Sequence, residues 1–173
     1  MALSRLPLSD PIWEYVSKIL ELTYPEMCIC WIDKIDNPTL KTNYESRKLL
    51  IQQSRGFVEE MTLFHGTSDA NAQDIVKEGF QPSFNRTSVY GIGTYFSTSS
   101  KISSFYSRFN NTDMSYLFVC KVLVGKTKIG VANEILDVTQ YDNTVNTTKN
   151  PTIYTTPYDN GAYPEYLVAF YKN

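Results

Sequence analysis

Residues Leu117 to Val124 read LFVCKVLV, and Gly125 closes them. Valine, leucine and phenylalanine fill this run around one lysine, and β-branched residues suit a pleated surface. The run reads as a strand, and it commits the second half of the chain to β-structure. Shorter runs read the same way: Cys28 to Ile32, Met61 to Phe64, Thr94 to Phe96, Ile153-Tyr154 and Tyr166 to Tyr171. Residues 81–92 and the Asn- and Thr-rich 132–151 read as loops.

Helices come mainly first. Ser9-Asp10-Pro11 has the form of an N-cap followed by proline in the first turn, and Ile12, Val16, Ile19 and Leu20 follow as a helical stripe. Asn37-Pro38 starts a second helix with Leu40, Tyr44 and Ile51 on one face. Ser68 or Asp69 caps a short third helix carrying Ala72, Ile75 and Val76, with Gly79 expected in the left-handed position after it. A further short helix is expected over Ile102 to Tyr106. The fold class is α+β. At 173 residues, with no internal repeat or dividing linker, one domain is expected.

Composition excludes several functions. Net charge is −2, with no basic block to capture long nucleic acid. Three cysteines, no CxxC pair and one histidine do not make a zinc site, so no metal is expected. The odd cysteine count fits a reducing compartment. There is no signal-like h-region and no stretch approaching 18 apolar residues. The reading is a soluble intracellular chain, cytoplasmic or nuclear, without a membrane partner and monomeric. Aromatic residues reach 14%, with 13 tyrosines, and such rings can line a site for a flat ligand.

The single histidine, His65, ends an apolar strand directly before Gly66-Thr67. Alone it reads as a histidine satisfied by a backbone carbonyl. There is no GxSxG elbow to make it part of a hydrolase triad. About thirty residues on, Tyr90-Gly91-Ile92-Gly93-Thr94-Tyr95-Phe96 puts two glycines before a Thr-Tyr-Phe strand. It lacks the third glycine of a dinucleotide fingerprint and by itself is a tight turn. Tyr106 follows in Ser103-Ser104-Phe105-Tyr106. Rings at Tyr95 and Tyr106, one on a strand and one on the next helix, could enclose a planar heterocycle. Stacking of this kind contributes roughly 1–3 kcal/mol per base in nucleic-acid sites.

Taken together, HGT after a strand, YGxGTYF, SxxY and the terminal Tyr163-Pro164-Glu165-Tyr166-Leu167 form an ordered set. With the run from Ile32 to Leu40, this set resembles the catalytic domain of the poly(ADP-ribose) polymerase family, most closely its mono-ADP-ribosylating members. The resemblance covers most of the chain. It implies the ADP-ribosyltransferase fold, a split antiparallel β-sandwich with flanking helices, and NAD+ as co-substrate. It leaves no room before His65 for the autoinhibitory helical domain of the DNA-dependent polymerases.

The resemblance also implies roles. His65 would hold the adenosine-side ribose. Gly66 would hold the nicotinamide carboxamide through its backbone, and Ser103 through its hydroxyl. Thr67 would lie near the adenosine ribose. Tyr95 would be the triad tyrosine and Tyr106 the second ring of the nicotinamide sandwich. The third triad position is a glutamate in polymerising relatives. Here it falls on Ile153, in Pro151-Thr152-Ile153-Tyr154, rather than on Glu165, which is then a structural residue at the surface or on an edge strand. Isoleucine cannot activate a hydroxyl. The implied activity is therefore mono-ADP-ribosylation with release of nicotinamide. The acceptor would be a protein, this chain included, ahead of nucleic-acid ends. The alternatives are a binding module without turnover, RNA 2′-phosphotransferase chemistry, which the acidic composition disfavours, and NAD hydrolysis. Two departures stand out: Ile92 occupies a usually basic position, and the loop between Gly79 and Tyr90 is short, which leaves open whether its Arg86 reaches the pyrophosphate.

Overall fold

A computed structural model describes residues 1–82, 88–107 and 114–171. In chain order the elements are β1 (Ala2–Arg5), α1 (Pro11–Glu21), β2 (Cys28–Asp36), α2 (Pro38–Arg55), β3 (Glu59–Thr67), α3 (Asp69–Glu78) and β4 (Thr94–Ser97). Then come α4 (Ser100–Ser104), β5 (Met114–Val124), β6 (Thr127–Ile129), β7 (Asn143–Val145), β8 (Ile153–Thr156) and β9 (Ala162–Tyr171).

The helix starts follow the capping chemistry in the sequence. Asp10 accepts the Ile12 N–H at 2.8 Å, with Pro11 opening α1. Asn37 accepts the Leu40 N–H at 3.2 Å ahead of Pro38. The Asn37 amide also donates to the carbonyls of Val76 and Lys77, which fastens the start of α2 to the end of α3. Ser68 caps α3 through the Asn71 N–H. Gly79 does have positive φ, at 79°, but its ψ of −171° is extended rather than left-handed helical. A residue with a Cβ is strained there.

The sheet runs β1-β2-β9-β5-β3-β4-β8-β7-β6. Neighbours are antiparallel except β6 and β7, which run parallel. Its two halves join through one residue pair, Phe64 opposite Ser97. Beyond that pair β3 and β4 diverge, and this split opens the site. β5 is covered on both faces. Leu117 and Val119 pack with Val16, Leu20 and Phe170, while Phe118, Cys120 and Val122 pack with Ala72, Val76 and Phe80. Double coverage explains why LFVCKVLV is nearly continuous in apolar residues instead of alternating. Each such side chain contributes roughly 1.5–3 kcal/mol when fully buried.

Several expectations need correction. β1 was not legible: its four residues are exposed and lack alternation, and the strand is held by pairing with β2 and by Arg5, whose guanidinium binds Asp33 and stacks on Trp31. The polar stretch read as loop contains β7. Asn143 is buried there because its side chain accepts the Gly125 N–H and donates to the Leu123 carbonyl. β9 starts at Ala162, earlier than Tyr166. Glu165 is therefore not on an edge strand, since β9 lies between β2 and β5. It sits at a bulge in the β5 pairing, where burial pushes its carboxyl pKa up while Lys121, Lys34 and Lys41 oppose the rise.

Candidate active site

The site begins where β3 outlasts β4. His65 faces Phe118 of β5 in register and packs edge-on to Phe80, with ring centroids 5.1 Å apart, and against Phe96 at 5.6 Å. Its Nδ1 lies 2.7 Å from the Tyr95 carbonyl oxygen. A carbonyl only accepts, so Nδ1 carries the proton. Burial lowers the imidazole pKa, partly offset by the Tyr95 bond. The neutral ring then leaves Nε2 as an acceptor. The satisfied-histidine reading is correct for one nitrogen, and the other can accept a hydrogen bond from a hydroxyl.

Peptide groups two residues apart on a strand face the same edge. Phe64 meets β4 at Ser97, and its carbonyl accepts the Ser103 hydroxyl at 3.0 Å. Gly66 therefore turns its N–H and C=O toward the same edge, past the point where β4 has diverged. Its missing side chain is required as well. A Cβ at Gly66 would overlap the Ser103 carbonyl and lie 2.8 Å from the Ser107 hydroxyl. The end of α4 thus lies directly against bare backbone. Thr67, the last residue of β3, is buried.

Tyr95 lies in β4 opposite Thr155. Its hydroxyl is engaged with the preceding loop: it accepts the Tyr90 N–H at 2.8 Å and donates to the Gly91 carbonyl at 2.7 Å. Gly91 has φ of 99°, and a Cβ on Gly93 would lie 2.6 Å from Thr155 and from the Thr156 carbonyl. The two glycines therefore answer different demands, a turn and a close approach. The loop is held from behind by residues that sequence reasoning missed. Asn133 exchanges bonds with the backbone of Ser88, the Ile92 N–H donates to the Glu134 carbonyl, and Thr144 donates to the Tyr90 carbonyl. They carry no apolar or motif signal.

The fourth helix starts at Ser100, earlier than Ile102, because Ser99 caps it by accepting the Ile102 N–H. Tyr106 consequently sits just past its end, 68% exposed. Ile153 opens β8 opposite Ser97. Asn146, also unforeseen, accepts the N–H groups of both Thr152 and Ile153 at 3.1 Å.

These residues enclose two adjoining cavities. The smaller, of about 310 Å³, is lined by His65, Gly66, Ser88, Val89, Tyr90, Gly93, Tyr95, Phe96, Ser97, Ile102, Ser103, Tyr106 and Ile153. None of these residues carries a carboxylate, an ammonium or a guanidinium. The larger, of about 980 Å³, runs along α3 from Thr67 and Ser68 past Asn71, Asp74 and Glu78 to Phe80 and Gln81. His65, Gly66 and Tyr106 line both. All seven expected site residues therefore border this bipartite space, and Glu165 borders neither part. Arg86 lies outside the described residues. Among the described residues no group of three or more His, Cys, Asp or Glu side chains gathers to hold a metal, and no helix is long and apolar enough to cross a membrane.

The site is a ring-walled pocket, opened by a split sheet and joined at a histidine to a longer polar groove. The chain belongs to the poly(ADP-ribose) polymerase catalytic domain family, whose family model matches residues 10–168. Domains of this family use NAD+ as substrate. The chain is 29% identical over 177 residues to protein mono-ADP-ribosyltransferase PARP14 of Homo sapiens, covering 95% of this chain and 10% of that protein. It is 30% identical over 184 residues to protein mono-ADP-ribosyltransferase PARP12 of Mus musculus, covering 98% and 26%. It is 27% identical over 201 residues to protein mono-ADP-ribosyltransferase PARP11 of Homo sapiens, covering 96% and 59%. The chain thus spans between a tenth and three-fifths of these relatives.

Proposed function

We propose that this chain transfers single ADP-ribose units from NAD+ to an acceptor, a protein side chain in first place, and releases nicotinamide. The observation that carries the proposal is the small cavity itself. Two tyrosines, bare Gly66 backbone and the Ser103 hydroxyl suit a neutral planar carboxamide, and Ile153, which the resemblance puts at the third triad position, lines the same cavity and carries no acid.

NAD+ supplies a ribose whose bond to a cationic pyridinium is ready to break. The chain's part is to hold and orient. Tyr95 and Tyr106 present ring faces to the nicotinamide. Gly66 offers its N–H and C=O to the carboxamide, and Ser103 adds a hydroxyl beside them. These contacts fix the torsion about the bond to be cleaved and favour a departing neutral amide. His65, neutral with its proton on Nδ1, accepts a hydrogen bond from a ribose hydroxyl at Nε2. Thr67 borders the groove that takes the adenosine end. Ile153 has nothing to give a hydroxyl nucleophile. The acceptor therefore brings its own negative charge, which favours a carboxylate, and a product ribose is not activated for a second round.

The test is nicotinamide release from NAD+ by the purified chain and by His65→Ala. Release by the wild type, with label carried to protein, supports transfer, and loss in the variant assigns the site. The lack of any acid at the small cavity also favours a second reading, a module that binds NAD+ without turnover. Saturable NAD+ binding with no nicotinamide released would establish that reading instead.

A further inference from the structure

We infer that the segment from Leu20 to Glu26, which borders neither cavity, sets the geometry of the ring-binding half of the site through α4, and that Thr23 is a positioning residue for it. The inference rests on the reading that this half takes nicotinamide.

α4 spans only Ser100–Ser104. A helix this short cannot hold itself together or fix its own position in water. It nevertheless carries Ser103 and is followed at once by Tyr106, and its carbonyl at Ser103 lies against Gly66. What fixes it is a set of tethers. Two reach the sheet: Ser103 donates to the Phe64 carbonyl at 3.0 Å and Ser107 to the Tyr116 carbonyl at 2.6 Å.

The N-terminal end is held by the chain leaving α1, 77 positions away in sequence. The Ser100 N–H donates to the Thr23 hydroxyl oxygen at 2.9 Å, and the two hydroxyls lie 2.8 Å apart. Ser100 spends its own proton on the Leu20 carbonyl at 2.7 Å. Proton counting then fixes the remaining direction: Thr23 must donate to Ser100. The set is closed, with every hydroxyl proton used. Lys101 adds a weaker clamp over the Tyr24 ring and toward Glu26.

Thr23 is exposed and Ser100 fully buried. Replacing Thr23 by valine removes the hydroxyl without emptying a core position, so the effect concentrates on the position of α4. Ser103 lines only the nicotinamide half. The groove along α3 meets the end of α4 at Phe105 and Tyr106, but most of its wall comes from β3 and from α3, which is fastened elsewhere through Asn37.

The experiment is calorimetric titration of the purified chain with nicotinamide and, separately, with ADP-ribose, for wild type, Thr23→Val and Thr23→Ser. Loss of two neutral hydrogen bonds corresponds to a weakening of nicotinamide binding between roughly fivefold and about 150-fold. ADP-ribose affinity should hold within about twofold, and serine should restore nicotinamide binding. If Thr23→Val binds nicotinamide as the wild type does, the positioning role is wrong. If it loses both ligands equally, general loosening is the cause and the inference again fails. A wild type that binds ADP-ribose and never nicotinamide overturns the underlying reading of the small cavity together with this inference.

Discussion

Removing one oxygen from Tyr95 separates two accounts of the site. In this structure the Tyr95 hydroxyl is engaged with the Tyr90 N–H at 2.8 Å and the Gly91 carbonyl at 2.7 Å, while the ring lines the cavity. Tyr95→Phe keeps the ring and deletes both bonds. A neutral intramolecular hydrogen bond contributes about 0.5–1.5 kcal/mol net, so the pair is worth roughly 1–3 kcal/mol. For a chain of this size each kcal/mol moves Tm by about 2–4 °C, which gives a loss of roughly 2–12 °C if the loop unfolds with the rest. The freed loop also carries Val89 and Tyr90, which wall the cavity. KM for NAD+ should therefore rise while kcat changes by less. Differential scanning calorimetry and steady-state nicotinamide release on the same preparation read both quantities. An unchanged Tm and KM with kcat collapsed would show that the hydroxyl acts on the substrate and that its bonds to the loop do not matter.

Three further outcomes follow from the geometry. Gly66→Ala drives a Cβ into the Ser103 carbonyl; overpacking of this kind costs about 1–3 kcal/mol, and turnover should vanish while the circular dichroism spectrum stays that of a folded chain. Phe80→Ala empties a site touched by the His65, Phe96 and Phe118 rings; it should lower urea stability by about 3–5 kcal/mol, and a loss under 1 would contradict the packing. The depressed His65 pKa means that the folded chain binds fewer protons than the unfolded one just below pH ~6.5. Its contribution to stability is complete above that value and is lost as pH falls toward the folded pKa. kcat/KM should fall at still lower pH, as Nε2 becomes protonated, and His65→Gln should abolish the step in the profile.

How far the sequence carries depends on the kind of force involved. Where apolar pattern or capping chemistry decides, as in LFVCKVLV or at Asp10-Pro11 and Asn37-Pro38, the elements fall where the residues say. β1 and β7 escape because what makes them strands is supplied by partners. Asp36 to Asp33 provide a pairing edge for Ala2–Arg5, and Gly125 and Leu123 satisfy the buried Asn143 side chain. The site separates the same way. His65, Gly66, Tyr95 and Tyr106 have motif spacing, and their meeting at one cavity was legible. Asn146, Asn133 and Thr23 were not, because each is a common polar residue that acquires meaning only from a backbone group outside its own element, six or seven residues on for Asn146 and 45 and 77 away for Asn133 and Thr23. The fine position of α4 shifted by two residues for a local reason: Ser99 accepts the Ile102 N–H, whereas a start at Ile102 would put Lys101, which has no acceptor, in the cap.

The central claim is that the site transfers one ADP-ribose unit at a time because Ile153 replaces an acid. Intact-mass spectrometry of the chain after incubation with NAD+ tests it most directly. The account predicts discrete additions of single ADP-ribose units on separate sites, each removed by reagents that cleave one protein–ribose link. A ladder of long ADP-ribose chains on one site would contradict it, since no residue lining the small cavity could then explain how a ribose hydroxyl is activated.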